Sequence, residues 1–238
     1  MIEQPLERKY SQVVNLLIFI FPIVIILLQV AGDIVLFILA MMGVFISIWE
    51  KLLPFAIKEI KVFSYLTFGY FVTVCLSVIF SGQAADLAHF IPRDLHFLFA
   101  PFIALALFRA EINLNYLIMG SKFALLILGI MVVIQILEHF KLYGFYPSRP
   151  TGIMNAGVFG NLAVSIFFLV VVFFQHESLK HKIFTSISLM SGLFIIVSSG
   201  TRGAWLSFLF LSGAYFFFLY KQKTISSTRS KIILVLII

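Results

Sequence analysis

Residues 13–30, VVNLLIFIFPIVIILLQV, are followed after only Ala31-Gly32-Asp33 by residues 34–49, IVLFILAMMGVFISIW. Each run is continuously apolar and close to the roughly 20 helical residues that cross a hydrocarbon core. Neither alternates with period two, which excludes the strands of a membrane barrel. Two such runs joined by three residues read as a helical hairpin. With no small-residue cleavage site between them, they are not a secretory signal.

The rest of the chain repeats the pattern. Of its 238 residues 62% are hydrophobic and 11% charged, and the mean hydropathy is +1.11. That composition belongs to a polytopic membrane protein, not to a soluble domain. The expected architecture is an all-α membrane bundle forming a single transmembrane domain over residues 1–238. Spans are expected at 13–30, 34–49, 62–80, 95–108, 116–137, 155–174, 183–199 and 204–220, about eight in all. A ninth opens at Ile232 and reaches Ile238, which as helix covers only about 10 Å. It is expected either to be a helix cut short because the chain is a piece of a longer protein, the favoured reading, or to be vestigial. Cys75 lies alone in the third span, so no disulfide forms within the chain, and it reads as a small apolar packing residue.

A net charge of +7 would suit nucleic acid only if the basic residues formed one stripe. Instead they alternate with the spans, and no nucleic-acid partner is expected. With the amino terminus inside, Arg8, Lys9, Lys51, Lys58, Lys61, Arg109, Lys180, Lys182, Lys221, Lys223, Arg229 and Lys231 are cytoplasmic. Only Arg93, Lys141, Arg149 and Arg202 fall on the other face, so the positive-inside rule orients the chain. Lys122 lies within the fifth span near its cytoplasmic end and is expected to snorkel to the surface. Membrane lipids account for the cytoplasmic cations. The outer ones are mostly arginines, whose planar fork suits phosphate.

Three outer segments carry them. In Ser81 to Asp94 (SGQAADLAHFIPRD), Pro92 is expected near the first turn of the next helix. Arg93 there reads either as a lipid-headgroup contact or as a ligand contact. The loop from Glu138 to Met154 (EHFKLYGFYPSRPTGIM) holds Arg149 between Pro147 and Pro150. Thr151-Gly152 turns the chain and Asn155 can cap the following helix. A helix start beside a restrained arginine suits an anion. The third segment, Ser198-Ser199-Gly200-Thr201-Arg202-Gly203, is so short that Arg202 must lie at the mouths of spans seven and eight, among three hydroxyls. No metal site is expected: His89 and His96 have no third ligand.

Ser199-Gly200-Thr201-Arg202-Gly203-Ala204 resembles the Ser-Gly-(Ser or Thr)-Arg-(Gly or Ala)-(Ala or Gly) signature of the O-antigen ligase and polymerase superfamily. Arg149-Pro150-Thr151-Gly152-Ile153-Met154-Asn155, followed by Gly157, Phe159 and Gly160, is similar to that family's arginine and glycine element leading into a helix. Ala156-Gly157 departs from the pair usual there. The resemblance implies a GT-C-like helical fold in the bacterial cytoplasmic membrane, acting at its extracytoplasmic face. It implies a glycosyltransferase that needs no cofactor and moves a glycan from an undecaprenyl-diphosphate carrier to an acceptor lipid, glycan or protein, as in lipopolysaccharide and other envelope polysaccharide biosynthesis. Arg149, Arg202, Thr201, Gly200, Gly152, Asn155 and Arg93 become the substrate-binding candidates. The general base is expected in a large outer loop that the family carries further along, so this chain alone is expected to lack turnover. The competing expectations are a membrane transporter and a non-catalytic subunit of an envelope polysaccharide system.

Overall fold

The computed structural model of the chain describes residues 3–80, 87–144, 155–174 and 177–221, and side chains throughout these except at 3–7, 29, 87–93, 156 and 221. Among the described residues the chain is all helical: α1 (Glu3–Leu27), α2 (Gln29–Trp49), a short 3-10 turn (Pro54–Ala56), α3 (Lys58–Phe80), α4 (Leu87–Arg109), α5 (Leu114–Tyr143), α6 (Ala156–Phe173), α7 (Leu179–Ser198) and α8 (Arg202–Lys221). Six of these, α1, α2, α3, α5, α7 and α8, contain stretches long and apolar enough to cross a membrane. Gly157–Phe173 of α6 is a shorter apolar helix. The segment from Ile232 lies outside the described residues.

Three expected boundaries move. The first hairpin bends at Leu28, which alone leaves helical geometry (φ −145°, ψ 98°). Ala31 and Gly32 already donate their amides to the Leu28 carbonyl, at 2.8 and 3.2 Å. Gly32 lies over Ile25, where a Cβ would come within 3.0 Å of that residue's Cα, so its smallness serves helix packing and not the turn. Helix α4 begins at Leu87, so residues 87–94, expected in a connection, are helical, and Pro92 stands inside the helix. A proline there removes one intrahelical hydrogen bond while its φ stays compatible with helix. Helix α5 runs past residue 137 to Tyr143 and stops at Gly144, whose φ of +73° suits a residue without Cβ. The Gly144 amide donates to the Phe140 carbonyl at 2.8 Å.

The chain divides into two compact units, Met1–Gly120 and Ser121–Ile238. In the first, α2 and α4 approach backbone to backbone. A Cβ at Gly43 would lie 1.9 Å from the Phe102 carbonyl oxygen, and one at Gly120 would lie 2.0 Å from that of Phe19. Small residues at such crossings are the usual currency of helix association in lipid, where the apolar solvent gives no hydrophobic drive. Around them Val14, Ile18, Val35, Leu39 and Ala110 are buried together.

Polar groups from α1 finish the neighbouring helix ends. The Tyr10 hydroxyl donates to the Ala106 carbonyl at 3.0 Å and Ser11 Oγ to that of Ala110 at 2.7 Å. Asn15 Oδ1 accepts the Asn113 amide at 2.9 Å, just before α5. The Ala106 carbonyl also accepts the Ala110 amide at 3.1 Å, whereas the Ala110 carbonyl and the Asn113 amide lie at helix ends, where intrahelical partners run out and lipid offers none. At this same end of the unit Arg109 Nε pairs with Glu50 Oε1 at 2.9 Å.

In the second unit α6 and α8 run in the same direction with α7 antiparallel to both. Near one end Gly160 faces Ser199 and Thr201. Further along, Phe167 reaches Gly192 and its ring lies 5.6 Å from that of Phe208. Helix α5 follows α7 in parallel: Ser191 Oγ donates to the Leu125 carbonyl at 2.8 Å, and the Phe123 and Phe184 rings are 5.4 Å apart.

Lys122 does not snorkel. It is buried, and its Nζ lies 2.6 Å from Glu177 Oε1. The other carboxylate oxygen, Oε2, accepts from the Thr185 hydroxyl, which also lies 2.8 Å from the His181 carbonyl. An internal partner removes the need to reach the surface. Nothing in the linear pattern links Lys122 to an acid so far along the chain.

Candidate functional site

The third arginine-bearing segment is the one whose geometry is fully described. Helix α7 ends at Ser198, and Gly200 takes a φ of +59°, a left-handed conformation that glycine adopts without a Cβ clash. The chain reverses there, and α8 starts at Arg202, with the Trp205 amide donating to the Thr201 carbonyl at 3.2 Å.

The hydroxyls of this turn point into protein. Ser198, Ser199 and Thr201 are all buried. Ser199 Oγ donates to the Ile196 carbonyl at 2.8 Å and lies 3.3 Å from Thr201 Oγ1. Both face Gly160 of α6: a Cβ there would stand 2.5 Å from Thr201 Oγ1, 2.7 Å from Ala204 Cβ and 3.0 Å from Ser199 Oγ. Thr201, expected among the ligand contacts, thus holds the turn against α6. Arg202 is exposed, and it is the group the turn presents.

Asn155 takes the capping role expected of it. Its backbone is extended (φ −62°, ψ 137°), and its Oδ1 accepts the Gly157 amide at 2.9 Å. Because Gly160 lies level with Thr201, α6 starts about one turn, some 5–8 Å, beyond the start of α8. Two helix amino termini, each the positive end of its dipole, therefore open at the same end of this unit, with Arg202 exposed on the first turn of one of them.

Asn161 was not among the expected site residues. It is exposed on α6, its Oδ1 lies 3.4 Å from Ser207 Oγ on α8, and it borders Gly203, where a Cβ would find only ordinary contacts of 3.7 and 3.8 Å to its amide. The signal available in the sequence was a lone amide in an otherwise apolar run. Arg149 and Gly152 lie outside the described residues. Arg93 is placed by its backbone on the second turn of α4 in the first unit.

Compared with known proteins, the chain matches no family model, no curated protein and no solved structure.

Proposed function

We propose that the chain is an O-antigen-ligase-like membrane glycosyltransferase. In this reading it takes a glycan from an undecaprenyl-diphosphate carrier at the outer face of the bacterial cytoplasmic membrane and passes it to a lipid, glycan or protein acceptor. The observation that carries the proposal is Arg202. An always-charged fork stands exposed on the first turn of α8, on a turn whose own hydroxyls are buried. A membrane-spanning chain keeps a cation in such a place where water, protein or an anionic ligand meets it.

The chemistry fits the arrangement. Transfer from a polyprenyl diphosphate breaks the bond between the sugar and the diphosphate and leaves negative charge on the departing phosphate oxygens. A guanidinium and helix amino termini already aimed at that position stabilise the charge without reorganising during the step. Arg202 supplies the fork, Thr201, Gly200 and Gly160 hold it in place, and the capped start of α6 at Asn155 adds a second positive dipole end. Arg149 and Gly152, in the segment leading into α6, are proposed to complete the diphosphate contact. The base that takes the acceptor's proton is not assigned to any residue here.

The test uses Arg202→Ala and Arg202→Lys in membranes, with lipid-linked glycan as donor. Loss of most transfer in Arg202→Ala at unchanged protein level, with poor rescue by lysine because an ammonium lacks the bidentate fork, is the expected result. Full transfer by Arg202→Ala would remove the assignment.

A further inference from the structure

The second unit contains a charge pair, its lysine buried and its glutamate half-buried, that the proposed chemistry leaves unused. Lys122 sits in the third turn of α5, inside a candidate span, with its side chain 4% exposed, against 13% for that of Glu177. Glu177 is not on a long helix. It lies between α6 and α7, with its amide toward the Phe174 carbonyl at 3.4 Å. Both of its carboxylate oxygens are engaged, one by Lys122 and the other by Thr185 of α7.

From these contacts we infer that Lys122 and Glu177 form an axial lock, setting how far α7 stands along α5. Elsewhere the two helices meet at one close approach, where a Cβ on Gly129 would lie 1.9 Å from Ser191 Oγ, and through groups that tolerate sliding. The Ser191 hydroxyl reaches one carbonyl of α5, and a backbone offers another such carbonyl at every residue. The Phe123 and Phe184 rings make a nondirectional contact. The buried Lys122 ammonium and the half-buried Glu177 carboxylate do not tolerate a slide of one helical turn, about 5.4 Å, which carries them from 2.6 Å beyond ion-pair distance and leaves the ammonium desolvated and unpaired. A polar pair that specifies register is also the best-attested use of buried ionic groups.

The lock matters beyond its own neighbourhood because α7 is a rod. Its first residues follow Glu177, which its own Thr185 also holds, and its last lead into the turn that presents Arg202. Fixing α7 against α5 at one end fixes the depth of that turn at the other. The register itself is independent of what Arg202 binds, so the lock stands or falls separately from the proposed function.

A disulfide reads the register directly. A Cβ on Gly129 of α5 would lie 3.2 Å from Ser191 Cβ and 3.8 Å from its Cα, so a shift of a few tenths of an ångström brings the pair into the 3.5–4.5 Å Cβ separation of a disulfide. The pair Gly129→Cys and Ser191→Cys, in a Cys75→Ala background, is expected to cross-link on mild oxidation in membranes. Adding Lys122→Met or Glu177→Gln alone should remove most of the cross-linked product, through slippage or through failure to accumulate. Adding both together should restore it, since an apolar or neutral pair leaves no buried charge unmatched. Cross-linking unchanged in the single variants would overturn the lock. So would a double variant no better than the singles, which would mean that each residue acts separately.

Discussion

Gly160 of α6 lies against the hydroxyl of Thr201 with no space for a side chain: the nearest atom to a Cβ built there is Thr201 Oγ1, at 2.5 Å. The neighbouring Ala204 Cβ and Ser199 Oγ, at 2.7 and 3.0 Å, close the other directions. The turn that presents Arg202 is therefore seated on a glycine, and its buried hydroxyls cannot turn outward without vacating that seat.

Gly160→Ala is expected to push α6 away from the turn and cost about 1–3 kcal/mol, the range for overpacking a well-filled site. Gly203→Ala, which meets only Asn161 at 3.7 Å, should change stability by less than about 1 kcal/mol, the span of helix propensity. Thermal unfolding in detergent, followed through Trp205 fluorescence in a Trp49→Phe background, compares them. Equal stability of the two variants would contradict the described seating.

The first unit makes a sharper version of the same contrast. At Gly43 and Gly120 the obstructing atoms are carbonyls of Phe102 and Phe19 at 1.9 and 2.0 Å, and a backbone cannot rotate aside as a side chain can. Gly43→Ala and Gly120→Ala should lower the unfolding temperature markedly or prevent accumulation in the membrane. Gly69→Ala and Gly213→Ala, which meet nothing within 4 Å, should be neutral or slightly stabilising. Measuring the four variants side by side controls for handling.

Asn15 is buried and joins α1 to the start of α5, through its Oδ1 to the Asn113 amide and its Nδ2 to the Ser11 carbonyl at 2.9 Å. Asn15→Leu keeps the volume and leaves the amide of Asn113 without that acceptor. The expected loss is about 0.5–1.5 kcal/mol, the net worth of a typical hydrogen bond, because Asn113 is exposed. Asn15→Ala should lose more, since it adds a cavity. A leucine variant as stable as the parent would show that water or another group satisfies Asn113.

Orientation is tested by impermeant thiol labelling of intact cells in the Cys75→Ala background. If the lysine-rich connection before α7 is cytoplasmic, a cysteine at the exposed Lys141 reacts and one at the exposed Ser178 does not. The opposite pattern would invert the chain and move Arg202 to the cytoplasmic face.

Membrane character was legible residue by residue, because a continuous apolar run needs no knowledge of its neighbours. The cap at Asn155 was equally local, since its acceptor and the amide it serves are two residues apart. The boundaries were less so. Ala31-Gly32-Asp33 carries the marks of a turn, yet Gly32 is spent on contact with Ile25 while Leu28 bends the chain. Pro92 marks a helix start in isolation and lies within α4, because losing one hydrogen bond does not end a helix held by its neighbours.

From sequence alone follow the helical membrane class, the alternation of cations with spans, and the placing of Arg202 at the junction of two helices. Each depends on composition or on spacing over a few residues. Tertiary structure alone decided that Ser199 and Thr201 turn inward onto Gly160 while Arg202 stays exposed, and that Lys122 is paired rather than snorkelling. Those outcomes depend on which helices lie side by side. Hydroxyls settle where a facing glycine leaves room, and a buried ammonium settles where a carboxylate from a distant part of the chain, here Glu177, arrives within 2.6 Å.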